Sequence, residues 1–368
     1  MKVAIIGTRG IPAKYGGFET FAQEVSIRLV QKGVDVTVFC PLTENSISEY
    51  LGVKLKYISV SKDHSPMKYY FKSVSEAVKS RFDIVLTCGQ GGYAYLPYIR
   101  RSDRPVFITN TDGIEHRRTK WNKIIRLGVK FVGEMISVIL SDYLVADSKE
   151  INNYLSKEYK IIPKRIYTIE YGAELISMND YPEKLLNSYN ITPWNYFLVV
   201  SRLEPENNVA MIIDGYKKSK TAKPLIVVGN LKNTSYINSL RKSAEGYNVQ
   251  FIGGVYEPEK LKALRIYSVA YLHGHSVGGT NPSLLEALGA GNIVIGHDNP
   301  FNREVTENRE FYFSSSEECA KAIEKVDMLS LNAREELKSY AIKRIMNYYN
   351  WDRIADKYYM LFQGCVKI

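Results

Sequence analysis

The sequence predicts an α/β chain of two doubly wound, Rossmann-like domains facing across a cleft. Three observations carry this expectation. Short apolar runs alternate with helical stretches along the chain, the alternation starts afresh after an irregular stretch at 172–194, and the glycine-rich polar segments follow directly on apolar runs. Apolar strands that alternate with helices belong to parallel sheets covered on both faces. In such sheets ligands sit beyond the carboxyl ends of the strands, which decides where chemistry is to be sought.

The first half opens with Val3–Ile6 as a buried strand, after which Phe18, Phe21, Val25 and Leu29 recur at helical spacing. Val34–Phe39 follows the breaker Gly33 as a second strand. Leu55–Val60, Asp83–Thr87, Pro105–Thr109, Tyr143–Ala146 and Ile166–Ile169 continue the series, with a helix at Met67–Lys79. Asp147-Ser148 has the chemistry of an N-terminal cap for a helix running to about Tyr159. Tyr181-Pro182, Asn190 and Thr192-Pro193 are turn formers and mark 172–194 as the linker. Strands then resume at Tyr196–Val200, Leu225–Val228, Val249–Ile252, Val269–Leu272 and Asn292–Ile295, with helices near 207–219, 234–245, 257–266 and 282–290. The domains are read as 1–180 and 190–348.

Composition sets outer limits. The chain has 368 residues, too many for one ordinary domain, and its 45% apolar and 24% charged content is that of a globular protein. It lacks both a signal-peptide pattern and an apolar run long enough to cross a membrane, so a cytoplasmic location is expected. The four cysteines have no metal or disulfide-framework spacing and are expected to be reduced, structural thiols. A net charge of +10 favours anionic partners.

Five segments carry candidate chemistry. In His275-Ser-Val-Gly-Gly-Thr-Asn-Pro-Ser-Leu-Leu-Glu286, a loop after a strand ends in Asn281-Pro282-Ser283, a good helix start. The Gly278-Gly279 pair, Thr280 and the free N–H groups of the helix end suit a phosphate, and Glu286 lies about 7 Å further along the axis, in reach of a sugar hydroxyl. Ser201-Arg202 follows another strand, and an arginine there can clamp a diphosphate. Gly7–Thr20, with Gly16, Gly17 and Glu19, follows the first strand, but it has neither a dinucleotide nor a P-loop spacing. Asn110–Arg118 follows the strand ending at Thr109, and its Asp112, Glu115 and His116 can handle a proton. Finally, 117–140 carries six basic residues (117, 118, 120, 123, 126, 130) before its first acid, Glu134. Trp121, Ile124, Ile125, Leu127, Val129 and Phe131 are interleaved with them, a pattern that fits an anionic membrane surface or an ordinary surface helix. A nucleic-acid surface is not expected, because no binding motif accompanies the charge.

In this order, the segments resemble the retaining family-4 (group 1) glycosyltransferases of the GT-B fold, over essentially the whole chain. The resemblance implies that the helix at 351–368 packs back on the first domain, and that the second domain binds a nucleotide sugar. In the family an Arg…Lys pair holds the donor diphosphate and a Glu-x7-Glu motif binds the donor sugar and the ribose. Arg202 matches the arginine and Glu286 the second glutamate, while Asn207 stands at the lysine position and Gly278 where the first glutamate would be. The implied donor set is Gly16, Gly17, Ser201, Arg202, Asn207, Gly229, Gly253, Val255, Gly278, Gly279, Thr280, Asn281, Pro282, Ser283 and Glu286. Arg202, Asp112 and His275 are the implied catalytic residues, with Glu19, Glu115 and His116 on the acceptor. His116 stands where a tryptophan is expected.

The stretches 7–20, 202–208 and 275–287 resemble one subgroup, the bacterial capsule and rhamnan rhamnosyltransferases. The donor it implies is dTDP-L-rhamnose, and the acceptor a hexose or N-acetylhexosamine on undecaprenyl diphosphate at the inner face of the plasma membrane. No metal or other cofactor is expected, since no Asp-x-Asp motif is present. A UDP- or GDP-hexose transferase, a nucleotide-sugar epimerase of the same fold and a non-catalytic sugar-nucleotide-binding protein are the alternatives.

Overall fold

The computed structural model describes residues 1–14, 16–42, 46–111, 113, 127–162 and 165–366. They form two α/β units. One holds the described residues up to Gly172 together with those from Trp351 onward, and the other spans Ala173–Asn350.

The first unit is built on an eight-stranded sheet of order β3-β4-β2-β1-β5-β6-β7-β8. Its strands are β1 Lys2–Ile6, β2 Asp35–Pro41, β3 Glu49–Tyr50, β4 Val53–Ile58, β5 Ile84–Cys88, β6 Val106–Asn110, β7 Tyr143–Ala146 and β8 Ile166–Thr168. All neighbours are parallel except the short edge pair β3–β4. Successive residues of β1 feed opposite cores: Val3 and Ile5 face one, Ala4 and Ile6 the other. The first core is closed by the helix Gly17–Gln31 and by the C-terminal helix Trp351–Val366, which contributes Trp351, Ile354, Tyr358, Leu361 and Phe362. Asn110 at the end of β6 donates to the Tyr358 hydroxyl at 2.9 Å and ties that helix to the strand ends. The helix Pro66–Lys79 covers the opposite core through Tyr69, Tyr70 and Val74. Ser148 caps the helix Lys149–Tyr159, its hydroxyl accepting from the Ile151 N–H.

The second unit is a six-stranded, all-parallel sheet of order β11-β10-β9-β12-β13-β14. Its strands are β9 Phe197–Val200, β10 Leu225–Val228, β11 Val249–Gly253, β12 Ala270–His273, β13 Val294–His297 and β14 Phe311–Phe313. The order runs outward from β9 in one direction and from β12 in the other, so the switch point lies between these two strands. Phe197 and Val199 face one core, Tyr196 and Leu198 the other.

The stretch 172–194, read as a linker, is largely part of this second unit. It forms short 3-10 turns at Met178–Asp180 and Glu183–Tyr189, and buries Leu186 and Ile191 in the core beneath the sheet. The turn-forming residues there shape a folded wrap rather than a loose connection, because two apolar side chains lie between them. The strand β14 and the helices Pro300–Thr306, Ser316–Asp327 and Leu331–Arg344 complete the unit beyond the elements assigned from the sequence.

All four cysteines are buried. Burial pushes the Cys40 thiol up to about 11 and Cys319 up to about 12, so both stay protonated at neutral pH.

Candidate donor site at the switch point of the second sheet

The loops that leave β9 and β12, with the helix Pro282–Gly289 that follows the second, carry most of the sequence-predicted donor residues, and the structure joins the two loops. Asn208 donates its side-chain amide to the Gly274 carbonyl at 2.8 Å. Ser276 donates both its N–H (3.1 Å) and its hydroxyl (2.9 Å) to the Glu206 carbonyl. Gly274 has no room for a side chain: a Cβ would collide with the Asn207 carbonyl oxygen. In the sequence a lone Gly after a strand looks like any turn, so no local signal marks this glycine.

Within the first of these loops, Arg202 is exposed and has no ion-pair partner among the described residues. Its carbonyl accepts from the Asn207 side chain at 2.7 Å and from the Glu204 N–H at 2.9 Å. Asn207, read as a donor contact, is thus turned inward: it is buried, and its amide braces the backbone that presents Arg202. A short amide at the position of a long cation can satisfy a carbonyl at close range, and here it does. Gly229 sits behind this loop, where a Cβ would stand 2.5 Å from the Ser201 carbonyl. Gly229 donates to the Gly253 carbonyl at 2.9 Å, and Gly253 has φ near +80°. Val255 is buried in the core below these loops, so its side chain supplies a wall and not a polar contact.

Around the second loop, the helix Pro282–Gly289 is capped by Asn281, whose side-chain oxygen accepts from the Ser283 N–H at 3.0 Å. Pro282 occupies the first turn, where it costs no hydrogen bond. The helix start lies at the end of the loop and presents the positive end of its dipole there. Gly278 has φ near +136°, a conformation that L side chains rarely adopt. A glutamate there would be strained, which accounts physically for its absence.

His275 is half-buried and lies face to face with His273, with ring centroids 4.4 Å apart and an interplanar angle of 12°. His273 is fully buried, and burial first, then the neighbouring His275 and His297, hold its pKa well below the usual imidazole value. It is therefore a neutral platform at physiological pH. The His275 carbonyl is fixed by the amides of Asn299 (2.9 Å) and Asn302 (3.1 Å).

Beneath the helix lies a polar network that no sequence pattern announced. Buried Arg265, in the last turn of the helix Pro258–Ile266, reaches Glu286 Oε2 at 2.5 Å and Ser283 Oγ at 3.3 Å. The Ser283 hydroxyl lies 2.7 Å from the Tyr271 hydroxyl, and both approach the carbonyl of Val200, the last residue of β9. Burial pushes the Tyr271 phenol up to about 12.

In the first unit, the loop after β1 is folded around Glu19. This side chain is buried, accepts from the Arg9 N–H at 2.7 Å and lies 3.7 Å from the Arg9 guanidinium. Gly16 has φ near +111°, and a Cβ there would collide with the Glu19 carboxylate. Glu19, read as an acceptor contact, thus braces the loop from within. The Gly17 carbonyl accepts from the Tyr171 hydroxyl at 3.0 Å. Asp112, Glu115 and His116 lie outside the described residues. So do the basic residues at 117–126, whereas Lys130 pairs with Glu158 at 2.5 Å. Among the described residues there is no group of His, Cys, Asp or Glu that could hold a metal ion, and no helix long and apolar enough to cross a membrane.

Comparison with known proteins fits this division. Residues 1–174 match the family described as a domain of unknown function (DUF1972), and residues 183–344 match the family described as glycosyl transferases group 1. A search of the curated proteins finds no match. Among solved structures, the chain is similar to a glycosyltransferase from Rickettsia africae, with a TM-score of 0.75 and 16% identity over 100% of this chain and 98% of that one. It is also similar to Anabaena HepE in complex with UDP, with a TM-score of 0.76 and 15% identity over 99% and 100%. Sucrose-phosphate synthase from Thermosynechococcus elongatus gives a TM-score of 0.74 and 14% identity over 99% and 98%. At such identities the likeness shows the fold, which is GT-B.

Proposed function

We propose that this chain, which carries a group 1 glycosyl transferase domain over residues 183–344, is a retaining rhamnosyltransferase. It moves L-rhamnose from dTDP-L-rhamnose onto a hexose or N-acetylhexosamine carried on a lipid diphosphate, in the building of a cell-surface polysaccharide. The observation that carries the transferase reading is the pair of stitched loops at the switch point. They bring an exposed, unpaired arginine, a capped helix end and a carboxylate to one end of one sheet. In this reading Arg202 and the positive helix end at 281–284 hold the diphosphate, and Glu286 accepts from the ribose.

The reaction then needs little from the protein beyond placement and charge. The bond between the sugar's anomeric carbon and the phosphate oxygen breaks, and the acceptor hydroxyl attacks from the same face. The departing phosphate takes the hydroxyl proton. Arg202 and the helix end stabilise the negative charge that develops on the leaving diphosphate, a kind of term worth on the order of a hundredfold in rate. No metal is called for in this reading. His275, steadied on the neutral His273 ring, lies on the donor loop next to Gly278 and is assigned to the sugar. Asp112 is assigned a catalytic role and Glu115 and His116 to the acceptor, while Glu19 shapes the loop after β1.

The rhamnosyl assignment draws on the segments 7–20, 202–208 and 275–287 and on the missing glutamate at Gly278, which leaves one hydroxyl-binding carboxylate fewer than a hexose site has. A UDP-glucose donor is the second reading, since HepE has been crystallised with UDP, with UDP and glucose, and with UDP-glucose. For the membrane face, the exposed Leu127, Phe131, Val132 and Ile139 add apolar surface next to the basic stretch.

A donor screen tests the proposal. Purified protein receives dTDP-L-rhamnose, UDP-glucose, UDP-galactose or GDP-mannose with a lipid-linked hexose, and nucleoside diphosphate release and product mass are read. Turnover with dTDP-L-rhamnose and about a hundredfold less in Arg202→Ala is expected. Turnover with another donor alone refutes the sugar. Binding without turnover of any donor refutes the transferase. A folded Arg202→Ala variant with near-normal turnover refutes the diphosphate assignment.

A further inference from the structure

We propose that Arg265 is a positioning residue for the nucleoside, acting through Glu286; this rests on the reading that Glu286 binds the ribose. Arg265 itself touches no ligand, being only 3% exposed. Glu286 is different: its side chain is 41% exposed, with one oxygen 2.5 Å from Arg265 Nη2. The pair thus spans the boundary between interior and solvent, with the cation inside and the carboxylate at the surface.

Three features make this more than a tie between two helices. First, the guanidinium is incompletely satisfied, since its Nε–H has no acceptor among the described residues. Buried donors are rarely left so, and a purely structural contact at this place would be met at lower cost by another apolar side chain. Second, Arg265 is itself held in place. Its carbonyl accepts from Asn292 Nδ2 at 2.7 Å and from the Ser268 hydroxyl at 3.0 Å, and those two groups bond each other at 2.9 Å. Third, the same guanidinium reaches Ser283, and through it Tyr271 and the Val200 carbonyl. The carboxylate is thereby registered to the end of β9, the strand that leads into Arg202.

The physical consequence follows from charge and entropy. A surface glutamate samples several rotamers, and binding must select one. Arg265 makes that selection in advance. A carboxylate near a diphosphate is also repelled by it, and the buried positive charge behind the carboxylate offsets this repulsion. An ionised carboxylate only accepts hydrogen bonds, as a ribose hydroxyl requires.

The test compares two nucleotides that differ by one hydroxyl. Calorimetry measures dTDP against its 3′-deoxy analogue, with UDP and 3′-deoxy-UDP run alongside, on wild type, Arg265→Met, Arg265→Lys, Glu286→Gln and the Arg265→Met/Glu286→Gln double variant. Wild type should prefer the hydroxyl-bearing nucleotide by about tenfold or more, the worth of a hydrogen bond to a charged group. Glu286→Gln should abolish that preference. Arg265→Met should lose most of it, Arg265→Lys should recover part, and the double variant should match Glu286→Gln. Thermal unfolding checks that each variant is folded, and if Arg265→Met is not, Arg265→Lys carries the comparison. Preference lost in Glu286→Gln but kept in the arginine variants overturns the inference alone, as does equal weakening of both nucleotides. No preference in wild type, or preference kept in Glu286→Gln, overturns the ribose reading and the inference with it.

Discussion

Replacing Glu310 by glutamine should remove much of the pH dependence of the second unit's stability. Glu310 precedes β14, and its Oε2 accepts from the Val294 N–H at the start of β13 at 2.8 Å. Its other oxygen has no partner. Burial pushes the carboxyl up from the ordinary 4.5 to about 8, against a smaller opposing effect of the Val294 N–H. The folded state therefore keeps a proton that the unfolded chain releases near 4.5. The favourable contribution is fully present below that value and is lost as pH rises through about 8. At about 1.4 kcal/mol per pH unit, the shift is worth roughly 5 kcal/mol between the two limits. Glutamine cannot ionise, and its oxygen can still accept from Val294, but its amide leaves a buried donor unpaired at about 1–3 kcal/mol. Urea unfolding at pH 4.5, 6, 7 and 8.5 should thus give crossing curves. The variant should be the less stable at pH 4.5 and the more stable, by about 2–4 kcal/mol, at pH 8.5. Parallel curves, with a constant difference across that range, would refute the argument that an uncompensated buried carboxyl sits there.

The remaining predictions concern function. Gly274→Ala forces the loop after β12 away from the Asn207 carbonyl, so nucleoside diphosphate affinity should fall on the order of tenfold to a hundredfold with an unchanged circular dichroism spectrum; an unchanged Kd means the two loops need not be stitched for binding. Reversing the charges at Arg117, Arg118, Lys120, Lys123, Arg126 and Lys130 should abolish flotation with anionic vesicles, which in wild type should weaken as salt is raised. Unaltered flotation would remove this segment from membrane binding.

Much of the fold was legible because buried parallel strands write themselves as short apolar runs. The strands β7 and β10 fall where those runs lie, and the Ser148 and Asn281 caps were readable from local chemistry. What escaped lacked a local signal. The strand β14 is only three residues, Phe-Tyr-Phe, too short to show a period. Leu186 and Ile191 are single apolar residues among turn formers, so their burial depends on contacts distant in sequence. The site divides likewise. Arg202, the cap and Glu286 follow strands and stand out, but the inward turn of Asn207 depends on a carbonyl five residues back. Arg265 in a last helical turn reads as an ordinary partner of the helix dipole. Only folding shows that it faces a glutamate 21 residues later in the chain.

The helix Trp351–Val366 has a consequence for synthesis. The first unit's core takes Trp351, Ile354, Tyr358, Leu361 and Phe362 from it, yet Ala173–Asn350, the whole second unit, is made in between. At about 5–20 residues per second, the apolar side of the helix Gly17–Gln31 waits on the order of ten seconds or more for its cover. The second unit, whose strands are all local to its own stretch, can close meanwhile. A nascent chain is therefore most vulnerable to aggregation through its earliest-made half, and a truncation that removes only these last residues should fail in the unit that was translated first.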